Sequence, residues 1–318
     1  DGTLTIVAAN DVDMEAGAIG ATDGVTITAG LNIDIDGIIT TSDNDISITG
    51  NKIETVALVA GTGDITLNGT NDTLSVASTI TAITSADKVT LTNGNFTVGA
   101  STLTDSLIIN GDTDFASSGL IVAPTVILST ANDVTFTGQT LTTNLVAGGG
   151  SGDYNLGTVD NVATTGLSIT TTGGNDVMIL DDDTTAAASK YVVITGDGND
   201  SVTITDVAAA STIATGDGDD TVTLNDVNND VVISTDAGND TITVATGTVG
   251  LSVAAGEGDA DSLTLAGGTI TGSMTGIEFL TVSGAISMAS TLFDNDATFE
   301  ISSGGTTTTV DMAGGDGS

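Results

Sequence analysis

Short segments that combine glycine with aspartate recur at a regular spacing in the second half of the chain. GDGND, GDGDD and DAGND begin at Gly196, Gly216 and Asp236, and each is followed at once by an alternating segment, SVTI, TVTL or TITV. Glycine allows the positive φ angles that turn carbonyl oxygens inward, and aspartate adds hard anionic oxygens at the same place. Oxygen ligands of these two kinds suit Ca²⁺, so we predict calcium-binding turns.

Two looser copies, GGNDVMIL from Gly173 and GEGDADSLTL from Gly256, extend the series to five members. Equivalent aspartates follow one another after 24, 20, 20 and 21 residues, in the order Asp176, Asp200, Asp220, Asp240 and Asp261. An internal repeat of about 20 residues predicts stacked coils in which one turn lies above the next. An ion between two turns could then take oxygens from both.

The candidate metal ligands are the aspartates of these turns and the backbone oxygens of their glycines. They are Asp176, Gly196, Asp197, Gly198, Asp200, Gly216, Asp217, Gly218, Asp219, Asp220, Asp236, Gly238, Asp240, Asp259 and Asp261. Stacked carboxylates about 5 Å apart would repel one another unless a cation or protons intervened. Isolated pairs such as Asp23-Gly24 and Asn68-Gly69 are interpreted as tight turns without a ligand.

The composition excludes several classes of function. The chain has 42 acidic residues, three lysines, no arginine, no histidine and no cysteine, which gives a net charge of -39. Nucleic acids and anionic lipid surfaces require a basic surface, so both are excluded as partners. No apolar run reaches the roughly 18 residues of a membrane span. Catalysis is not expected either, because the usual acid-base and sugar-binding side chains are scarce or missing.

Alternation of apolar and polar residues continues through the first half of the chain. Segments such as GVTITAG, NIDIDG, DISITG and KVTLTNG stop at glycine or asparagine, which predicts many short, half-buried strands. Val, Ile and Thr favour strands over helices. We therefore predict an all-β protein, a parallel β-solenoid with coils of about 20 residues and almost no helix.

Three parts of the sequence resemble known families. TGDGNDSVTI, TGDGDDTVTL and TDAGNDTITV resemble the calcium-binding repeat of RTX proteins. RTX repeats place a turn every nine residues on both edges, whereas here one turn comes per coil, which implies calcium along one edge only. The first half is similar to the β-helix of the filamentous haemagglutinins, and ITGSMTGIEFLTVSGAISMAS is similar to the segment that follows the RTX repeats of bacterial surface-layer proteins.

These resemblances divide the chain into four segments. Residues 1–148 are predicted to form β-helix repeats, 149–165 a junction, 166–265 an RTX-like calcium-binding solenoid, and 266–318 a continuation or cap. Three phenylalanines in the last segment, Phe279, Phe293 and Phe299, predict a wider core there, as part of a cap or of an interface. No signal peptide precedes these repeats, so we expect a processed part of a larger secreted polypeptide.

The resemblances imply a non-catalytic structural protein of the bacterial cell exterior. Its cofactor would be Ca²⁺, and it would self-associate into a surface layer or a surface filament, with cell-surface polysaccharide as a second candidate partner. A repetitive calcium-dependent adhesin is the main alternative. An ice-binding segment, presenting rows of threonine, and a polysaccharide-active β-helix are further alternatives.

Overall fold

The computed structural model is an all-β parallel β-solenoid with coils of about 20 residues, and it has no helix in the residues it describes. This confirms the predicted fold class. The described residues are 2–15, 17–70, 77–130, 133–136, 140–142, 144–147, 153–161, 167–181, 190–205, 207, 210–225, 227, 230–245, 248–258, 260–283, 286–288, 300–303 and 310–312. Within them no helix is long and apolar enough to cross a membrane.

The chain forms two compact units, an N-terminal unit of residues 1–160 and a C-terminal unit of residues 161–318. The strands that begin in the N-terminal unit are β1 (Leu4–Ala8), β2 (Val12–Met14), β3 (Ile19–Ala21), β4 (Val25–Ala29), β5 (Asn32–Thr41), β6 (Ile46–Gly50), β7 (Lys52–Val59), β8 (Ile65–Gly69), β9 (Ala77–Ser117), β10 (Ile121–Val122), β11 (Thr125–Thr130), β12 (Val134–Phe136), β13 (Thr140–Thr142), β14 (Asn144–Ala147) and β15 (Tyr154–Asn161).

Apolar side chains of the N-terminal unit stack in register from coil to coil. β1 pairs in parallel with β4, β4 with β6, β6 with β8, and β8 with β9. Ile27 lies opposite Ile48, which lies opposite Leu67, and all three are buried. Because successive side chains of a strand point to opposite faces, this register places the alternate threonines outside.

The C-terminal unit continues with β16 (Leu167–Thr170), β17 (Val177–Asp181), β18 (Tyr191–Ile194), β19 (Ser201–Thr205), β20 (Ser211–Ala214), β21 (Thr221–Asn225), β22 (Val231–Ser234), β23 (Thr241–Val244), β24 (Thr248–Ala254), β25 (Ser262–Leu265), β26 (Gly268–Thr271), β27 (Met274–Thr275), β28 (Phe279–Val282), β29 (Ile286–Met288), β30 (Glu300–Ser303) and β31 (Val310–Met312).

Two rows of parallel strands enclose the core of the C-terminal unit. The first wall consists of β17, β19, β21, β23, β25, β28 and β30, and the second wall of β16, β18, β20, β22, β24 and β27. Val222 and Leu224 of the first wall are fully buried, as is Tyr191 of the second. The acidic turns connect the second wall to the first in each coil, so they all lie along one edge of the unit.

Phe279 does not widen the core, contrary to the prediction. It lies at the start of β28 with its side chain outside and 43% exposed, while the next residue, Leu280, is buried. The reason is register, because Phe279 is opposite Ser262, an outward-facing position of β25. Phe293 and Phe299 lie outside the described residues.

The stacked core generates a stability prediction. Leu224→Ala removes a buried side chain between Ile204 and Val244, its in-register neighbours, and is expected to cost about 2–5 kcal/mol of unfolding free energy. Thr223→Ala, the outward-facing neighbour on the same strand, should cost less than about 0.5 kcal/mol. Urea unfolding followed by circular dichroism measures both, and equal losses would contradict the assigned register.

Candidate metal centre

Backbone hydrogen bonds continue through the acidic turns instead of stopping at the strand ends. The N–H of Gly218 donates to the carbonyl of Ala237 over 2.7 Å, and the N–H of Thr221 donates to the carbonyl of Asp200 over 2.8 Å. One turn therefore lies directly on the next, with the spacing of neighbouring strands. This stacking brings the predicted ligands of successive coils together along the edge.

Glycine occupies two conformationally demanding positions in the GDGND and GDGDD turns. Gly216 has a φ of 85°, and Gly218 has a φ of 144°, where a Cβ would overlap the carbonyl oxygen of Gly198 in the coil before it. Gly196, Gly198 and Gly238 are constrained in the same way. Asp236 adopts the same left-handed conformation as Gly216, with a φ of 54°. The predicted glycines thus allow the close approach of one turn to the next.

A column of buried aspartates runs along the inside of the turns. Its members are Asp176, Asp200, Asp220, Asp240 and Asp261, each with no more than 2% of its surface exposed. Oδ1 of each later residue accepts the N–H of the aspartate one coil earlier, as from Asp200 to Asp220 over 2.8 Å and from Asp220 to Asp240 over 2.9 Å. We call this column the inner ladder.

The second carboxylate oxygens of three inner-ladder aspartates have little to offset the cost of their burial. Oδ2 of Asp220, Asp240 and Asp261 is buried, and none of these three oxygens has a hydrogen-bond partner within the described residues. The hydroxyl of Thr215 is near enough to the Asp220 carboxylate to lower its pKa somewhat. A buried ionised oxygen without a partner is costly, so the ladder requires either a cation or a proton at these oxygens.

The pKa values of the ladder reflect this environment. Loss of hydration on burial raises the pKa of Asp220 to about 7, against the opposing effects of the Thr215 hydroxyl and the Asp200 N–H, while the neighbouring carboxylates raise it further. Burial likewise raises the pKa of Asp240, and it raises that of Asp261 to about 6. Near neutral pH, protons and metal ions would compete for this column.

Glu278 ends the inner ladder, a role that the repeat did not reveal. Its Oε2 accepts the N–H of Asp261 over 2.9 Å, in the place that an aspartate takes one coil earlier. Glu278 follows Asp261 after 17 residues and is not an aspartate, so the period of the acidic repeat does not identify it. Two local signals are present: Gly276, with a φ of 72°, precedes it and lies against Gly256, and Glu278 directly precedes β28, as the aspartates precede their own strands.

Four of the other predicted aspartates lie on the outer side of the turns. Asp197, Asp217, Asp219 and Asp236 are exposed, and Asp259 is outside the described residues. Asp219 belongs to a second column with Asn175, Asn199 and Asn239. The side chains of Asn175, Asn199 and Asp219 each accept a backbone N–H from the next coil, and the N–H of Asn239 donates to Asp219 over 2.9 Å. We call this column the outer ladder. Its side chains accept hydrogen bonds from the following coil, whereas those of the inner ladder accept them from the preceding coil.

Oxygens from two coils converge beside Gly258. A Cβ on Gly258 would overlap the carbonyl oxygen of Gly238 and would lie 2.8 Å from both carboxylate oxygens of Asp261. The place borders a groove of about 550 Å³ lined by Gly238, Asn239, Glu257 and Gly258. Across the described residues, no three carboxylates are grouped closely enough to hold one ion. Carboxylate and backbone oxygens together make this the best-formed candidate position.

The N-terminal unit neutralises a comparable carboxylate with a lysine. The N–H of Asp64 donates to Oδ1 of Asp45 over 2.9 Å, in the direction of the outer ladder and not of the inner ladder. Oδ2 of Asp64 then forms an ion pair of 2.6 Å with Nζ of Lys88, which precedes the next stacked strand segment. These groups are partly exposed, so this contact needs no buried ion.

No family model, curated protein or solved structure matches this chain. The class that the structure itself defines is a parallel β-solenoid with a stacked acidic edge.

Stacking of the turns predicts a large cost for a side chain at Gly218. Gly218→Ala would force a Cβ into the Gly198 carbonyl in a left-handed conformation, and it should lower the free energy of unfolding by roughly 2 kcal/mol or more. Gly20→Ala is the control, because nothing lies within 4 Å of its Cβ position. Chemical unfolding measures both, and a neutral Gly218→Ala would show that the turns are not in contact.

The raised pKa values predict an unusual pH dependence for the metal-free chain. The folded state binds a proton at Asp220 more tightly than the unfolded state, so the contribution of this group to stability is fully present below about pH 4 and is lost as pH rises to about 7. Asp220→Asn should flatten this fall. Asp45→Asn, which can keep its bond to Asp64, should leave it unchanged. Urea unfolding in EDTA across this window measures the effect, and stability that rises with pH would contradict it.

Proposed function

We propose that this chain is a calcium-stabilised structural protein of the bacterial cell exterior, a building block of a surface layer or a surface filament. The observation that carries the proposal is the inner ladder. Five successive coils place an aspartate in the interior, and the second oxygens of Asp220, Asp240 and Asp261 lack a hydrogen-bond partner of normal length. A chain of net charge -39 would gain from cations at these positions.

Ca²⁺ fits the donor set better than other common ions. It takes six to eight oxygens in flexible geometry, whereas Zn²⁺ and copper favour nitrogen and sulfur, and the chain has neither histidine nor cysteine. Asp261 and the carbonyl of Gly238 would hold an ion beside Gly258, with water completing its shell. Asp220 and Asp240 would supply Oδ2 in the preceding coils. The ion supplies positive charge and no redox chemistry.

Calcium in this role would act on stability. A ligand that binds only the folded state at 100 times its dissociation constant contributes about 2.7 kcal/mol. Several ions along one edge could therefore determine whether the C-terminal unit folds at all. Outside the cell, calcium is sufficiently abundant for sites of modest affinity, which supports the proposed location.

The test compares melting in calcium with melting in EDTA at neutral pH. Wild-type protein should melt at a lower temperature in EDTA, because the ladder then keeps its charge without a cation. In Asp220→Asn/Asp240→Asn, the amides keep the backbone bonds but remove the charge. This variant should melt higher than wild type in EDTA and gain less from calcium.

The control for this test is Asp45→Asn, which alters a ladder carboxylate of the N-terminal unit. It should leave the calcium response at the wild-type value. A wild-type melting temperature that is the same in calcium and in EDTA would contradict the proposed role of calcium. Electron microscopy in calcium then tests assembly, for which ordered arrays or filaments are expected.

A further inference from the structure

We propose that the fifth acidic turn, which begins at Gly256, holds the tightest calcium ion of the inner ladder, bound beside Gly258 by Asp261 and the carbonyl of Gly238. This inference rests on the proposed calcium role and deepens it, because it names the coil that fills first and the features that set its affinity. The turn differs from the four before it in the spacing of its aspartate and in the residue that enters it.

One extra residue brings the ladder carboxylate beside a glycine in this turn. The ladder aspartate follows the second glycine after three residues here, and after two residues in the earlier turns. A Cβ on Gly258 would lie 2.8 Å from both carboxylate oxygens of Asp261. A Cβ on Gly218, two coils earlier, would meet the backbone of Gly198 and, at 3.2 Å, the amide oxygen of Asn199. The fifth turn therefore presents two carboxylate oxygens where the regular turn presents an amide.

These oxygens suit calcium, and one of them is buried without a partner. Both carboxylate oxygens of Asp261 and the carbonyl oxygen of Gly238 face the same side of Gly258, where no Cβ screens them. Ca²⁺ takes about six to eight oxygens, including bidentate carboxylates and backbone carbonyls. Asp261 is fully buried, and its Oδ2 has no hydrogen-bond partner within the described residues. An ion here would remove the cost of burying that charge.

The second difference is a hydroxyl that the earlier coils contain. A column of buried residues enters the turns five residues before each ladder aspartate, and it comprises Thr171, Thr195, Thr215 and Thr235. The hydroxyl of Thr195 donates to the carbonyl of Thr215 over 3.0 Å, so the column is stacked like the ladder. Ala255, also fully buried, takes this position in the fifth coil, because its N–H donates to the next coil as that of Thr235 does.

The threonine hydroxyls lie against the ladder carboxylates. Burial raises the pKa of Asp220 to about 7, and the hydroxyl of Thr215 opposes this rise. Asp240 and Thr235 are related in the same way. Burial also raises the pKa of Asp261, but the N–H of Asp240 is the group that opposes the rise there. A hydroxyl beside a carboxylate competes with a cation for its oxygens, so the coil with alanine keeps them for the ion.

Neighbouring acidic groups add to the attraction for a cation at this turn. After burial, the charges of Asp240 and Glu278 are the further causes that raise the pKa of Asp261. Glu257 is exposed and lines the groove of about 550 Å³ that borders Gly258. A divalent cation entering from solution therefore meets an acidic approach to the site.

The first experiment titrates the metal-free chain with calcium chloride at neutral pH by calorimetry. Wild-type protein should bind about one ion tightly and further ions more weakly. Asp261→Asn keeps the bond to the Asp240 N–H but removes the charge, and it should weaken the tight class at least about tenfold. Asp220→Asn should act on the weaker class instead. Asp45→Asn, in the N-terminal unit, is the control and should change neither class.

The second experiment alters the two features of the turn without changing a proposed ligand. Deletion of Ala260, which is exposed, restores the regular spacing and should weaken the tight class at least about tenfold. Ala255→Thr supplies the hydroxyl and should weaken it too. Ala255→Val has the same shape without the hydroxyl, so it should bind calcium more tightly than Ala255→Thr. Circular dichroism checks that each variant retains its strands.

The outcomes separate this inference from the proposed function. A wild-type chain that binds no calcium overturns both. Calcium bound in a single uniform class, or a tight class that survives Asp261→Asn or deletion of Ala260, overturns this inference alone. Ala255→Thr that binds calcium as tightly as Ala255→Val does so as well, because the hydroxyl would then not set the affinity.

Discussion

The hydrogen bond from a backbone N–H to a buried carboxylate of the next coil is the interaction on which the acidic edge depends. It fixes the height and the position of each turn over its neighbour, as between Asp200 and Asp220. One carboxylate oxygen is used in this way. The other must be neutralised, because an ionised oxygen in the interior is costly without a partner. Protons at low pH, or the proposed calcium ions, would supply this neutralisation.

The two units handle this requirement differently. In the N-terminal unit, Lys88 forms an ion pair with Asp64, and the carboxylates involved are partly exposed. In the C-terminal unit the ladder is buried, and the sequence supplies one lysine, Lys190, which is exposed and precedes β18. The proposed cation from solution would take the place of a lysine that these coils lack. Calcium dependence would then be confined to one unit.

Charge is also segregated around the C-terminal unit. Acidic residues concentrate in the turns because those positions hold the ladders, and the outward positions of β19, β21, β23 and β25 carry hydroxyl or amide side chains. The same coil geometry thus provides an acidic edge and, in the middle strands of the first wall, a face of uncharged side chains.

The sequence alone determined the architecture. Alternation such as TVTL depends on local strand geometry, and glycine before aspartate depends on local turn chemistry, so both can be recognised without a structure. Period and composition likewise predicted the repeated aspartates from Asp176 to Asp261. Whether those aspartates hold calcium stays a prediction. Only the register between coils decided the other features, because it joins residues about 20 positions apart.

Tertiary structure showed that Asp220 and its equivalents are interior, with one oxygen bonded to the coil before, whereas Asp217 is outside. It added Glu278, which lies outside the acidic repeat but occupies the next position in the stack. It also placed Phe279 outside, where composition predicted a wider core. A one-residue change of register turns a side chain from the core to the surface. Because the adjacent residues Phe279 and Leu280 are both apolar, alternation alone does not decide which of them faces the core.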